Sequence, residues 1–293
     1  MVENRRRTQI PLNIIFTVMS IIILYPFLQI LIVSFTDENT ILNEGYRLLP
    51  SKWSLEAYKY VFKNPKMVLD AYKVTFVFSI IYMVISVVLQ ACLAFALTNK
   101  KLKGRRKLSF MLYFTMLFSG GLVPTYLLIT QYLHLDDTIW VYIIPGLISP
   151  WNVFMIRTQF QTLPDGLYDA ARIDGASQYR VLFQIVMPLS TPVLATVALN
   201  SFLGKWNDWN TAMLYINKDS LISLQYLLQR IMQNIQMLQN EAATAMGVME
   251  YSDIPSETVR MALAIVVAGP ALFVFPFFQK YFVKGLTVGS VKG

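Results

Sequence analysis

A chain of 293 residues that is 55% hydrophobic and only 14% charged is too apolar for an ordinary soluble protein, where about 25% of residues carry charge. The net charge of +8 raises a nucleic-acid reading, but the basic residues sit between apolar runs instead of forming one patch. A single cysteine, Cys92, and a single histidine, His134, exclude an internal disulfide and argue against a His/Cys zinc site or a histidine-based catalytic triad.

The apolar runs predict an all-α integral membrane protein with six transmembrane helices: Leu12–Phe35, Leu69–Thr98, Leu108–Leu133, Thr138–Ile156, Leu189–Asn207 and Val259–Phe282. Each is long enough for a hydrocarbon core of about 30 Å at about 1.5 Å per residue. Arg5, Arg6 and Arg7 precede the first run, as in a signal peptide. The run is too long for a signal h-region and no small-residue cleavage site follows, so a retained anchor is expected.

The third run contains Ser119-Gly120-Gly121 and Pro124, and the fourth contains Pro145 and Pro150. Glycine weakens a helix and proline removes a donor. In a membrane such breaks persist only where protein or a watery cavity satisfies the freed backbone groups. They read either as a hinge or pore wall, or as static packing. No inverted repeat relates the two halves, which argues against one common design of secondary transporter.

Lys205 and Asp208 lie near the outer end of the fifth run, amid Trp206, Asn207, Trp209 and Asn210. Charges at membrane depth usually face a bundle interior or a water-filled path. Amides beside aromatic faces suit a sugar, so Trp206, Asn207, Asp208 and Trp209 form a candidate substrate path. The plainer reading is an interfacial tryptophan belt with a snorkelling Lys205.

Charge placement predicts the orientation. With the N-terminus cytoplasmic, the inner segments carry fifteen basic residues against four acids. Six of those basics lie between Lys100 and Lys107, in a short loop of the kind that weighs most in the positive-inside rule. Both termini are then expected to be cytoplasmic. The same placement makes the basic residues a membrane-flanking collar and removes the nucleic-acid reading.

Between the fourth and fifth spans runs a cytoplasmic loop, 157–188. Asp165 is placed to cap a short helix, Gly175 to end it with a left-handed turn, and Ser177 to cap a second helix ending at Pro188. Ala170 and Ala171 keep one face small enough for close docking into a partner's cleft. Asp169 and Arg172, three apart, place opposite charges on that face. On these residues alone, a well-capped loop remains an alternative reading.

The segment Asp169-Ala170-Ala171, then Asp174-Gly175-Ala176, Ile185 and Pro188, resembles the signature loop of ABC-importer permeases, written E-A-A-x-x-x-G with a downstream I-x-x-P. Asp169 stands where glutamate is typical, and Met187 precedes Pro188 where leucine is usual. Trp206-Asn207-Asp208 and the terminal Gly285–Gly293 resemble the carbohydrate branch, above all the smaller permease of the maltose importer.

The resemblance implies a type I ABC importer permease for sugars, most of all oligosaccharides, in a bacterial-type cytoplasmic (inner) membrane. Its parts would be a cytoplasmic N-terminus at 1–11, a six-span permease domain at 12–282 and a cytoplasmic tail at 283–293. Asp169, Ala170, Ala171, Arg172, Asp174 and Gly175 would couple to an ATPase. The tail, through Gly285, Gly289, Lys292 and Gly293, would lie at the ATPase interface, and the outer loop from Thr211 to Glu257 would meet the binding protein. Implied partners are a second permease, two ATPase subunits and an extracytoplasmic solute-binding protein. No phosphate loop of the form G-x-x-x-x-G-K-[ST] occurs, so ATP and magnesium are expected on the partner, and no enzyme activity or cofactor is expected here. The alternatives are an ABC permease for a non-sugar solute and a stand-alone secondary transporter.

Overall fold

The computed structural model describes residues 2–245 and 256–289. Among them all regular elements are helical, apart from one isolated antiparallel bridge between Thr36 and Trp53. The first helix, α1 (Val2–Ser34), contains Pro11 and Pro26. Short α2 (Glu38–Glu44) and α3 (Glu56–Val61) follow, then the long α4 (Pro65–Thr98). The third predicted span divides at Ser119–Gly121 into α5 (Arg105–Leu117) and α6 (Leu122–Leu127), the latter continued by a π-helical turn, Leu128–Tyr132. The two arms bend by 116°. Gly121, at φ +86°, occupies a region that a side chain would strain.

The fourth predicted span is not one helix. It is α7 (Trp140–Ile143) and α8 (Pro150–Gln161), separated by a break in which Gly146 lies at φ +79°. Pro145 cannot donate to a helix, and Pro150 holds Ser149 extended (φ −92°, ψ 116°), as a residue before proline prefers.

After α9 (Asp165–Ile173) come α10 (Gln178–Arg180), a π-helical stretch Val181–Val186, and α11 (Met187–Leu189). A bend of 86° at Ser190 leads into α12 (Thr191–Trp206). The chain continues through α13 (Asn210–Tyr215), α14 (Leu224–Ala245) and α15 (Glu257–Gly289). Among the described residues three helices are long and apolar enough to cross a membrane singly, or up to five spans form if each bent pair counts as one.

The chain divides into two units, Met1–Lys66 with Leu228–Pro270 and Met67–Leu227 with Ala271–Gly293. In the first, the Ser54 N–H donates to the Phe35 carbonyl and the Asp37 N–H to that of Lys52. Phe35 stacks on Tyr58 at 4.9 Å, and the Tyr58 hydroxyl shares a 2.8 Å hydrogen bond with Ser34 Oγ. Glu38 binds the start of α15, accepting from the backbone N–H groups of Ser256, Glu257 and Thr258 and from the Ser256 and Thr258 hydroxyls. A carboxylate satisfies orphan donors where the helix dipole favours negative charge.

In the second unit the core is built on α4. Ala91, Ala94 and Leu97 belong to one cluster with Val153, Ile156 and Phe160 of α8 and Val181, Leu182 and Val186. Alanine on α4 leaves room for the larger side chains opposite. Phe78 stacks flat on Tyr142 at 4.2 Å. Beside this apolar packing runs a polar stripe, Thr75, Ser79, Tyr82, Ser86 and Gln90, all buried.

Candidate functional site

Helix α9 opens with Leu163 and Pro164 ahead of it and Asp165 as its first residue. Asp165 therefore stands inside the first turn, one position later than the expected cap, where its charge still complements the exposed N–H groups. At the other end the Asp174 N–H donates to the Ala170 carbonyl and the Ala176 N–H to that of Ala171, with Gly175 at φ +70°. This six-to-one bond across a left-handed glycine is a Schellman turn. Ser177 Oγ then accepts from the Arg180 N–H at 3.3 Å and starts α10. The two-helix knob foreseen between residues 165 and 188 is present, with a π-helical second arm.

Packing sets which face of α9 is free. Ala171 is 6% exposed and belongs to the cluster around Phe160 and Val181. The expectation that it forms part of an outward docking face is thus corrected: its small side chain allows α9 to sit close on its own scaffold. Tyr168 donates to the Phe160 carbonyl at 3.0 Å. Burial, then the Asp165 charge, holds its phenol above the ordinary value, so it stays a neutral donor. Asp169, Ala170, Asp174 and Gly175 lie on the exposed side. Ile173 is 86% exposed and Tyr179 76%, apolar groups that the motif did not point to. The Arg172 side chain lies outside the described residues.

An open cleft of about 240 Å³ lies behind α9, lined by Asn99, Lys100, Lys101, Asp165, Asp169 and Gln178 among others. Its basic wall is the short loop after α4, folded by an Asx turn in which Asn99 Oδ1 accepts from the Lys101 N–H at 2.9 Å. Gly104 at φ +83° leads into α5. The site joins a knob with an acidic edge to a basic loop.

The second candidate region lies at the end of α12. Lys205 is not a snorkelling surface lysine: its side chain is 13% exposed and pairs with Asp208, 14% exposed, at 3.0 Å. Its ammonium also sits 4.9 Å from the centre of the Tyr82 ring. Asp208 further accepts from the Thr211 N–H and hydroxyl, so the pair is well compensated. Trp206 is 2% exposed and stacked on Phe202 at 5.7 Å. It is neither a belt residue nor open to a path in this arrangement. Asn207 is exposed and accepts from Gln225 Nε2, and Trp209 is 40% exposed. The structure thus brings Asn207 and Trp209 to the surface and buries Trp206.

Nearby, Asp137 at φ +51° accepts from the backbone N–H groups of Asn217 and Lys218. Those bonds hold its carboxyl below the ordinary carboxylate range. In the tail, Gly285 and Gly289 belong to the last turns of α15, while Lys292 and Gly293 lie outside the described residues. Of the outer loop, 246–255 lie outside them as well. No group of three potential metal ligands occurs among the described residues.

Comparison with known proteins agrees with the geometry. The family described as "Binding-protein-dependent transport system inner membrane component" matches residues 5–288. The chain is 37% identical over 272 residues to Protein LplC of Bacillus subtilis (strain 168), covering 93% of this chain and 90% of that protein. It is 35% identical over 274 residues to the polygalacturonan/rhamnogalacturonan transport system permease protein YtcP of the same organism, covering 94% of each. Among solved structures it is similar to a chain in the crystal structure of a bacterial ABC transporter involved in the import of the acidic polysaccharide alginate. That likeness has a TM-score of 0.78 and 26% identity, over 94% of this chain and 97% of the other.

Proposed function

This chain belongs to the family of binding-protein-dependent transport system inner membrane components, and from that premise we propose that it is the permease subunit of an ATP-driven importer of oligosaccharides. The observation that carries the reading is the match over nearly the whole chain, including the exposed α9 knob with its Schellman turn. The sugar class is supported by relatives named for polygalacturonan/rhamnogalacturonan and maltodextrin transport. Uronate oligosaccharides come first among candidate substrates, because the YtcP name and the alginate importer both concern acidic polymers.

In this reading the chain crosses the inner membrane six times with both termini cytoplasmic. The fourth crossing is made by α7, the break and α8 together. A second permease completes the pore and two ATPase subunits bind ATP and magnesium. An extracytoplasmic binding protein delivers the sugar. Asp169, Ala170, Asp174 and Gly175 present the contact to one ATPase, with Ile173 and Tyr179 as apolar anchors beside them. Ala171 supports the contact from behind, and Arg172 completes the charge pattern. The end of α15, with Gly285 and Gly289, and the tail residues Lys292 and Gly293 that follow it in sequence meet the ATPase pair. Closure of the ATPases on ATP draws the knob inward, so that nucleotide and loaded binding protein both bias one two-state element. Asn207 and Trp209 are the path residues still open to solute.

The test is uptake in cells that lack only this gene, complemented with the wild type or with Asp169→Lys. Wild type should restore uptake of uronate oligomers. Asp169→Lys should reach the membrane in normal amount yet uncouple ATP hydrolysis from uptake. Full uptake by Asp169→Lys would refute the coupling role. Uptake of neutral oligosaccharides alone would refute the acidic class.

A further inference from the structure

The break between α7 and α8 is held by side chains of α4. Tyr82 donates to the Gly146 carbonyl at 2.6 Å. Ser86 Oγ donates to the Leu147 carbonyl at 3.0 Å and Gln90 Nε2 to the same oxygen at 2.8 Å. Gln90 Nε2 also donates to Ser86 Oγ. These residues recur every four along α4 and form one face of it. Ser86 and Gln90 are fully buried and Tyr82 is 9% exposed.

Two features do not suit a static brace. Gln90 Oε1 is buried without a hydrogen-bond partner, and so is Ser79 Oγ on the same stripe. An unmet acceptor at this depth is unfavourable, and supporting two carbonyls calls for donors only. Secondly, Leu147 N–H reaches the Ile144 carbonyl only at 3.4 Å, so the break is weakly held by its own backbone. Gly146, at φ +79°, gives the segment rotational freedom that other residues lack. Rotating a peptide unit there exchanges the carbonyl facing α4 for the N–H of the next residue. Hydroxyls and a primary amide can meet either face, because each both donates and accepts.

We infer that Tyr82, Ser86 and Gln90 form a two-way latch on the Gly146–Leu147 break. They are positioning residues that hold one backbone arrangement here and a second, with Gln90 Oε1 accepting from an N–H, when the spans rearrange. The latch rests on the reading of the chain as a permease. It places the flexing point of the fourth crossing at a defined pair of peptide groups.

The complete transporter in lipid nanodiscs tests this. In a Cys92→Ala background, Ile148→Cys, whose parent side chain is 46% exposed, reports on the break through its labelling rate with N-ethylmaleimide. Adding ATP and vanadate should change that rate severalfold. Gln90→Met should abolish the change and lower the ATPase kcat at unchanged KM for ATP, with the complex still assembled. Ser86→Ala should behave likewise, and Ser86→Thr should recover the response. Should Gln90→Met not accumulate, Tyr82→Phe decides, since it keeps the ring beneath Lys205 and loses only the hydroxyl. A nucleotide-independent labelling rate in a transporting complex that carries only Cys92→Ala and Ile148→Cys overturns the latch and leaves the permease reading standing. So do Gln90→Met or Tyr82→Phe responding like wild type. An unmutated chain that binds no ATPase overturns both.

Discussion

Glu38 shows how much one side chain can carry. Its burial favours the neutral acid, but the Thr258 hydroxyl and the backbone N–H groups of Glu257, Thr258 and Ser256 outweigh that and hold its carboxyl below the ordinary range. Tyr46 and Arg260 both reach Glu257 beside it, so the surroundings hold charges of both signs. A carboxylate depressed on folding contributes stability above its unfolded pKa, and the contribution fades as pH falls through the folded value. The thermal midpoint of the purified chain should therefore fall as pH drops from about 5 through the ordinary glutamate value of about 4.3 and below. Glu38→Gln should start lower by about 1–2 kcal/mol at neutral pH and show a flatter acid limb. Parallel acid limbs would show that Glu38 contributes nothing there. Nothing in the sequence pointed to this residue, because its partners lie more than two hundred positions away. Gly175 was legible for the opposite reason, since its turn is local. Gly175→Ala should cost about 1 kcal/mol from the left-handed φ alone, with open space around the added carbon. Circular dichroism melts would register it.

At the scale of elements, legibility follows the range of the interactions. Long apolar helices such as α4 could be read from their runs, since a membrane span needs only length and low charge. The boundaries of the α9 knob could be read from Gly175 and Ser177. The division of the fourth span was signalled by Pro145 and Pro150, but its extent was not, because the groups that satisfy it come from Tyr82, Ser86 and Gln90 on another helix. Their regular spacing inside an apolar run was the available clue. The two readings of Lys205 could not be separated for a related reason: the sequence shows its neighbours along α12 but not the Tyr82 ring beneath its ammonium. The pair makes its own prediction. Lys205→Met strands a mostly buried carboxylate and should cost about 2–3 kcal/mol, whereas Lys205→Met with Asp208→Asn should recover most of that loss. Denaturation of both variants in detergent decides between them. An additive double mutant would mean that the two charges do not interact.

For the whole molecule the decisive quantity is parity. An even number of crossings puts both termini on one side and an odd number separates them. Among the described residues three single helices, with two bent pairs if each counts as one, give up to five spans by length and composition. In the six-span reading the remaining crossing falls to the divided segment, four residues of α7 and twelve of α8 around the break. Its reach suffices: about 1.5 Å per helical residue plus roughly 3.3 Å for each extended one covers about 30 Å. The latch on Gly146 and Leu147 makes such a crossing tolerable by satisfying carbonyls that lipid could not. If this segment crosses, α9 emerges on the same side as the six basic residues of Lys100–Lys107, where an ATPase can reach it. If it only dips and returns, α9 lies outside and the coupling role collapses. Fusing a cytoplasm-active fluorescent protein and a periplasm-active phosphatase to each terminus separates these cases. Fluorescence without phosphatase activity is expected at both ends. Neutralising the six basics of the Lys100–Lys107 loop should produce a mixed population, because that short loop carries the strongest orienting signal. Opposite signals from the two termini of the unmutated chain would mean an odd number of crossings and would overturn the six-span reading. Should the Pro145–Pro150 segment be the one that fails to span, the α9 knob would be out of reach of any cytoplasmic motor.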